Sequence, residues 1–304
     1  LDFLDLRYTK NMLKENEIKY LEDKARDIRV SIVEMLLEAG SGHTAGPLGM
    51  SDIFSVLYGK VLKHDSQNPS WPERDRLILS NGHIAPVLYS AMAHYGYFPV
   101  EELKTLRKFK SRLQGHPHRE YLPGVETSSG PLGSGLSQAV GMCLADRIPH
   151  LASPKIGEVQ NKFFYCLMGD GELNEGQNWE AIMLAGKEKL GNIICIIDRN
   201  NIQIDGFTED IMPLEPLDKK FEAFNFDVQV INGNNIEEIY NAIEKAKAVF
   251  NRPSVIIART IPGKGVPEFE KDFHWHGKAP NKDEAKIALD RLRNLGGNIE
   301  GHHN

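Results

Sequence analysis

The chain has 304 residues, 41% of them apolar and 26% charged, with 36 Lys plus Arg against 42 Asp plus Glu and a formal net charge of -6. That balance excludes a general polyanion binder, so nucleic acid is not an expected partner, and no run approaches the roughly 18 apolar residues of a membrane-spanning helix. The length allows two domains or one large parallel α/β domain, and the unbroken alternation described below predicts one, over residues 1–304.

In chain order, Leu1 to Arg7 carry acids and lack an apolar leader core. Residues 17–39 place Ile18, Leu21, Ala25, Ile28, Ile32, Met35 and Ala39 at helical spacing before Gly40. The glycine-dense loop from Ser41 through Gly42-His43-Thr44 to Gly49 feeds a second helix through Ile53, Val56, Leu57 and Lys60. Residues 75–80 read as a short strand that breaks at Asn81-Gly82-His83, and a helix follows over 87–95. Residues 99–110 read as a basic helix with a solvated face. From Gln114 to Gly135 no regular pattern holds, and about twenty irregular residues in a compact domain imply a ligand to hold. This run contains Gly115-His116-Pro117 and Gly130-Pro131-Leu132-Gly133-Ser134-Gly135, and it opens a small-residue helix over 136–147 whose N-terminus can receive an anion.

The segment 163–206 carries the clearest local pattern. Two apolar runs of strand length, 163–169 and 192–198, flank a helical face formed by Trp179, Ile182, Met183, Gly186 and Leu190, which is a βαβ unit. Asn174 and Gln177 have capping-box spacing, with Glu175 in the first turn where the helix dipole favours an anion. Residues 226–231 form a further strand. Asn235 and Glu238 cap a helix through Ile239, Ile243, Ala246 and Phe250, and residues 254–261 form the last buried strand. Such alternation predicts an α/β fold with a parallel sheet covered by helices on both faces. A loop bearing His274, Trp275 and His276 precedes a peripheral charged helix over 283–295. Cys143, Cys166 and Cys195 sit inside apolar patterns without Cys-x-x-Cys spacing and read as reduced core thiols of a cytoplasmic chain.

If the strands of the βαβ unit are parallel neighbours, Asp170 and Asn200 emerge together at their carboxyl ends, where open α/β sheets bind ligands. Taken singly, Gly-Asp-Gly and Asn-Asn are ordinary turns; together on one rim they suit a hard cation such as Mg²⁺, which takes few protein carboxylates and completes its shell with phosphate oxygens and water. Of eleven histidines, His64, His94, His118, His150, His302 and His303 read as surface or core residues. His43, His83, His116 and His276 each adjoin a glycine at a loop or element end, and four of this kind predict one imidazole-lined pocket able to bond sugar hydroxyls or shuttle protons. Zinc is the competing reading, but no histidine pair has the needed Cys or Glu partners, and the two-residue spacing of His274 and His276 is a weak metal signal. Gly130-Pro-Leu-Gly-Ser-Gly does not match a dinucleotide loop, and no P-loop motif is present.

With these residues the chain resembles the N-terminal half of transketolase, a thiamine diphosphate enzyme, and more closely the separate N-terminal subunit of bacterial split transketolases. The motifs quoted for the likeness are Gly169-Asp170-Gly171 followed by Asn200, together with the four Gly-His pairs. The resemblance implies a diphosphate-type thiamine diphosphate-binding fold in which Asp170, Asn200 and the Ile202 carbonyl hold Mg²⁺, or Ca²⁺ in its place. It implies that Gly169 and Gly171 lie at the phosphates, that Leu132 and Ile204 press on the cofactor, and that the Gly130 main chain meets the aminopyrimidine. His83 and His116 are similar to donor-sugar residues, with His83 also near the cofactor. His43 and His276 resemble residues facing the reacting carbonyl, and Glu175 resembles an acid tied to the subunit interface and cofactor activation. Thr44 replaces a common proline and Ser134 a frequent glutamine. The implied activity is transfer of a two-carbon ketol unit between sugar phosphates of the pentose phosphate pathway, in a heterotetramer with a C-terminal subunit that carries the activating glutamate. Alternatives are another thiamine diphosphate enzyme component, of the deoxyxylulose phosphate synthase or oxo-acid dehydrogenase kind, or a non-catalytic Mg²⁺-phosphate-binding regulatory subunit.

Overall fold

A computed structural model describes residues 12–152 and 162–294. The strands are β1 (Arg76–Leu79), β2 (Phe164–Gly169), β3 (Ile193–Asp198), β4 (Ile202–Gln203), β5 (Gly206–Phe207), β6 (Asp227–Asn232) and β7 (Ser254–Arg259). Five of them make one sheet in the order β1-β2-β3-β7-β6, parallel throughout, while β4 and β5 form a short antiparallel hairpin beyond β3. All six residues of β3 are buried. A continuous apolar run with no exposed face is what a central parallel strand requires, because both sides are covered.

The covering helices are α1 (Glu15–Ala39), α2 (Ala45–Gly49), α3 (Ser51–Val56), α4 (Ala85–His94), α5 (Ser134–Ala152), α6 (Gly176–Lys187), α7 (Thr208–Ile211), α8 (Leu217–Ala223), α9 (Ile236–Lys247) and α10 (Lys282–Asn294), with one π-helical turn, Leu57–Val61, after α3. Strand side chains alternate between two cores. Tyr165, Leu167, Ile194, Ile196 and Ile256 pack with Ile28 and Ile32 of α1, Tyr89 of α4 and Ile239 and Ile243 of α9. Cys166, Met168, Cys195, Ile197 and Val255 pack with Leu136 and Val140 of α5, Ile182 of α6 and Phe221 of α8. Each such fully buried Ile or Leu contributes about 1.5–3 kcal/mol. The three cysteines are free and buried as expected, and burial pushes the Cys143 and Cys195 thiols up to about 12. Among the described residues no helix is long and apolar enough to cross a membrane.

Several local expectations are corrected. Residues 99–110 do not form an α-helix: a 3-10 segment, Val100–Thr105, ends before Arg107 and Lys110, both at positive φ. Asn174 does not cap α6. It closes a 3-10 turn, Gly171–Asn174, and its side-chain oxygen accepts from Gln203 Nε2, leaving Glu175 at the cap position. Met183 and Phe250, read as core-facing, are exposed. The expected cap at Asn235 does form, its oxygen accepting from Glu238 N at 3.0 Å. The last helix runs to Asn294; residue 295 lies outside the described residues, as do Leu1 to Arg7, His302 and His303, and nothing is described of the His150 side chain.

The register sets Gly169 opposite Asp198, and Asp170 N donates to the Asp198 carbonyl at 3.2 Å. The turns after β2 and β3 therefore leave the sheet side by side at its carboxyl edge.

Candidate functional site

At that edge Asp170 is 1% exposed. Its Oδ1 accepts from Gly171 N at 2.7 Å, and its Oδ2 accepts from Arg199 Nη1 at 2.9 Å and Asn201 N at 2.8 Å. Asn201 reaches this position at φ +64°, a left-handed conformation that Asn tolerates. Burial pushes the Asp170 carboxyl up, and the Arg199 guanidinium and two backbone amides oppose that rise. Arg199 also meets Glu209 and Glu215, so one buried guanidinium ties three carboxylates to the rim. Asn200 donates through Nδ2 to Asp198 Oδ2 at 2.8 Å, and its Oδ1 accepts from Ile202 N at 3.0 Å. Asp198 itself is fully enclosed and bonded by Thr260; burial pushes it up to about 7.

The Gly130–Gly135 turn is fastened beside this rim by a single carboxylate. Glu172 Oε1 accepts from Gly133 N at 2.7 Å and from the Ser80 hydroxyl, Oε2 accepts from Gly169 N at 3.0 Å, and Ser80 Oγ in turn accepts from Gly135 N at 3.1 Å. Gln177 Nε2 adds a bond to the Leu132 carbonyl, and the Ser134 hydroxyl donates to that of Pro131. Gly133 lies at φ +85°, where a Cβ would stand 2.8 Å from that of Glu175, so no other residue fits. A Cβ on Gly130 would meet nothing within 4 Å. The Glu172→Gln variant is expected to lose about 1–3 kcal/mol of stability, because its amide must face a backbone N–H of Gly133 or Gly169. Urea unfolding measures this, and an unchanged midpoint would show that the clamp is not formed.

Three of the four histidines of the expected imidazole pocket come together, and His116 stays exposed. The rings of His43, His83 and His276 are mutual neighbours, with centroids 4.8, 5.5 and 5.3 Å apart. His116 lies close enough to depress both His43 and His83. Three loops converge to achieve this, and the Thr44 hydroxyl, bonded to the Lys278 carbonyl, ties the His43 loop to the His276 loop. Burial, then His276, Arg107 and His116, holds the His43 imidazolium down to about 4. Burial also lowers His83 and His276 and, with Arg107 beside it, the more exposed His116, so the buried rings favour the neutral form that donates at one nitrogen and accepts at the other. Of the other described histidines, His64 bonds Tyr97, His94 bonds Ser31 and His118 stacks on Tyr121, as expected of surface or core residues, whereas His274, read as a weak metal signal, pairs with Asp272.

A depressed His43 has a consequence for stability. Its contribution is fully present above its ordinary value of 6.5 and is lost as the pH falls toward about 4. At about 1.4 kcal/mol per unit of pKa the loss amounts to roughly 3 kcal/mol. The gap in melting temperature between pH 7 and pH 4.5 is accordingly expected to be smaller in His43→Phe than in the parent; an equal gap would contradict the burial of this ring.

Leu132 is half-buried, whereas Ile204 (66% exposed) and Glu175 face solvent. Ligating atoms for a hard cation are present in Asp170 Oδ1 and Asn200 Oδ1, and no trio of His, Cys, Asp or Glu among the described residues could hold a metal. Buried polar atoms without protein partners, His43 Nδ1, both amide atoms of Asn81 and Ser129 Oγ, cluster along the same loops. That donor set fits a phosphate-bearing group with a heterocyclic body. Residues not singled out in the sequence are Glu172, Ser80, Asn81, Asp198, Arg199 and Arg107. Arg107 stands at positive φ with its guanidinium about as close to Gly115 as a Cβ there would allow, at 3.0 Å.

Parallel sheet, buried acidic rim and imidazole cluster define an α/β domain with its polar groups gathered at the carboxyl edge of the sheet. The model of the transketolase thiamine diphosphate-binding domain matches residues 21–297. The chain is 41% identical over 276 residues to the 6-deoxy-6-sulfo-D-fructose transketolase subunit of Clostridium sp. strain MSTE9, covering 91% of this chain and 97% of that one. It is equally similar to an apulose-4-phosphate transketolase subunit of Actinobacillus succinogenes, covering 90% and 96%. The solved transketolase of Leishmania mexicana superposes with a TM-score of 0.85 at 32% identity over 93% of this chain but 42% of that one. The chain thus belongs to the transketolase family, as its thiamine diphosphate-binding domain, and is a component of that kind of enzyme. It spans about two fifths of single-chain transketolases such as transketolase 2 of Escherichia coli, of which it covers 41%.

Proposed function

We propose that this chain is the diphosphate-binding subunit of a two-polypeptide transketolase that moves a two-carbon ketol unit from a ketose phosphate to an aldose phosphate. The observation that carries the reading is the meeting of His43, His83 and His276 in one ring cluster, in the same chain as a buried carboxyl-edge rim bearing Asp170 and Asn200. Residues 1–304 are read as one domain.

In this reading Asp170, Asn200 and the Ile202 carbonyl hold Mg²⁺, or Ca²⁺ in its place, and Gly169 and Gly171 bring backbone close to the diphosphate. Gly130 and Leu132 line the heterocycle, with Ile204 closing over it and His83 beside it. Bound there, thiamine diphosphate supplies the electron sink for carbon–carbon cleavage. The protein's own part is to orient the sugar and move protons. His43 and His276, neutral at working pH, accept and return the hydroxyl proton, while His83 and His116 hold the donor hydroxyls.

The partner is a C-terminal transketolase chain that brings the activating glutamate, two copies of each forming the assembly. Exposed apolar side chains support such a surface: Met183 and Leu184 on α6, and Ile211 and Met212, the Met212 carbonyl accepting from Asn174 next to Glu175. The two subunit relatives act, by name, on a sulfo-sugar and on a sugar phosphate. An anionic ketose is therefore the substrate class, with its charged end recognised by the partner.

Calorimetric titration of thiamine diphosphate with Mg²⁺ into the chain, with and without the partner, tests the cofactor half of this reading. Mg²⁺-dependent binding that tightens in the complex is expected, and binding indifferent to Mg²⁺ would contradict it.

A further inference from the structure

One buried side chain on the rim makes no polar bond within the described fold. Asn81 closes the carboxyl end of β1 and is 1% exposed, yet neither its Oδ1 nor its Nδ2 has a hydrogen-bond partner among the described residues. Its backbone carbonyl accepts from Ile84 N at 3.0 Å and so does not need the side-chain amide. Burying an amide with donor and acceptor both unpaired is unfavourable, and an apolar side chain of the same shape would serve the fold better.

Its position indicates what it serves. The amide nitrogen lies 3.9 Å from where a Cβ on Gly169 would stand, which places it against the first glycine of the Gly169-Asp170-Gly171 turn. The following residue, Gly82, packs on Ser129, whose hydroxyl is likewise unpartnered and which adjoins Gly130. His83 of the imidazole cluster is two residues away. Asn81 therefore sits where the diphosphate rim, the Gly130 turn and the histidine pocket meet.

We propose that Asn81 is a ligand-contacting residue of the diphosphate site, donating through Nδ2 to a phosphoryl oxygen and accepting at Oδ1 from a donor held with it. Water retained by a magnesium ion is such a donor, since Mg²⁺ keeps several waters when it binds phosphate. The inference rests on the cofactor reading given above. A sugar hydroxyl could also offer both a donor and an acceptor, so the probe is one that carries no sugar.

The test is calorimetric titration of the full chain with Mg²⁺ and inorganic pyrophosphate, together with its melting temperature without ligand. Asn81→Leu is expected to bind at least tenfold more weakly while melting no lower than the parent, because an unsatisfied amide has been removed. Asn81→Asp, similar in shape but bringing a carboxylate to the phosphates, is expected to bind more weakly still, and it keeps the test alive if the Leu variant does not fold. Parent-like affinity in both variants overturns the proposal, and so does a lowered melting temperature in Asn81→Leu with unchanged affinity, the signature of a structural amide. Binding by the parent that Asp170→Asn abolishes upholds the cofactor reading whatever Asn81 does. If the parent itself shows no Mg²⁺-dependent binding, that reading falls and this inference with it.

Discussion

Asp170→Asn is expected to weaken Mg²⁺-dependent binding of thiamine diphosphate by two orders of magnitude or more while leaving the chain folded. The substitution keeps the volume of the side chain but removes the only acidic ligand expected at the metal, and a hard cation loses most of its preference for the site with that charge. Asn at this position can still accept from Gly171 N or from Arg199 Nη1, and Arg199 keeps Glu209 and Glu215 as partners. Asp170→Ala is the harsher change. Removing one member of a buried ion pair typically costs about 3–5 kcal/mol, and the two remaining carboxylates at Arg199 place this case toward the lower end. Comparing the two variants by calorimetry and by urea unfolding separates loss of the metal from loss of the fold. Retained cofactor affinity in Asp170→Asn would mean that the metal is held elsewhere.

His43→Ala, measured in the complex with the partner, is expected to lower kcat by about 10²–10⁴, the usual worth of a positioned proton-transfer group. The effect has a pH signature. Because burial, with His276, Arg107 and His116 nearby, holds His43 down to about 4, its basic form is fully present at neutral pH and persists as the pH falls well below 6.5. The acid limb of the parent profile should therefore lie below the ordinary histidine range, and His43→Ala should lose rate without moving that limb toward 6.5. A parent profile that fails near 6.5 would indicate that an exposed group, not this ring, carries the proton.

Much of this architecture was legible from residue pattern. The buried runs of β2 and β3 and the capped helix α9 were set by apolar periodicity and Asn235, signals local to a few residues. The four glycine-flanked histidines were each visible locally, and the meeting of His43, His83 and His276 followed from the loops that carry them. What escaped the sequence was long-range polar bonding. Glu172 looks like one more acid after Gly-Asp-Gly; that it clamps Ser80 and Gly133, 92 and 39 residues away, depends on the sheet order. Arg199 fills a rim position between Asp198 and Asn200 where only burial shows that it is paired and structural. Residues 99–110 misled because lysines at helical spacing also suit a 3-10 turn whose chain bends at Arg107 and Lys110. Thr44, a departure from the commoner proline, found a bond to the Lys278 carbonyl that ties two histidine loops together.

The central claim is that this chain forms half of a ketol-transferring site. The most direct measurement is ketol transfer from a ketose phosphate to an aldose phosphate in the presence of thiamine diphosphate and Mg²⁺, with each chain alone and with the two mixed. Turnover by the mixture and by neither chain alone is the predicted result. A well-formed complex that binds the cofactor yet transfers no ketol unit from any anionic ketose would contradict the account and favour a regulatory role for this chain.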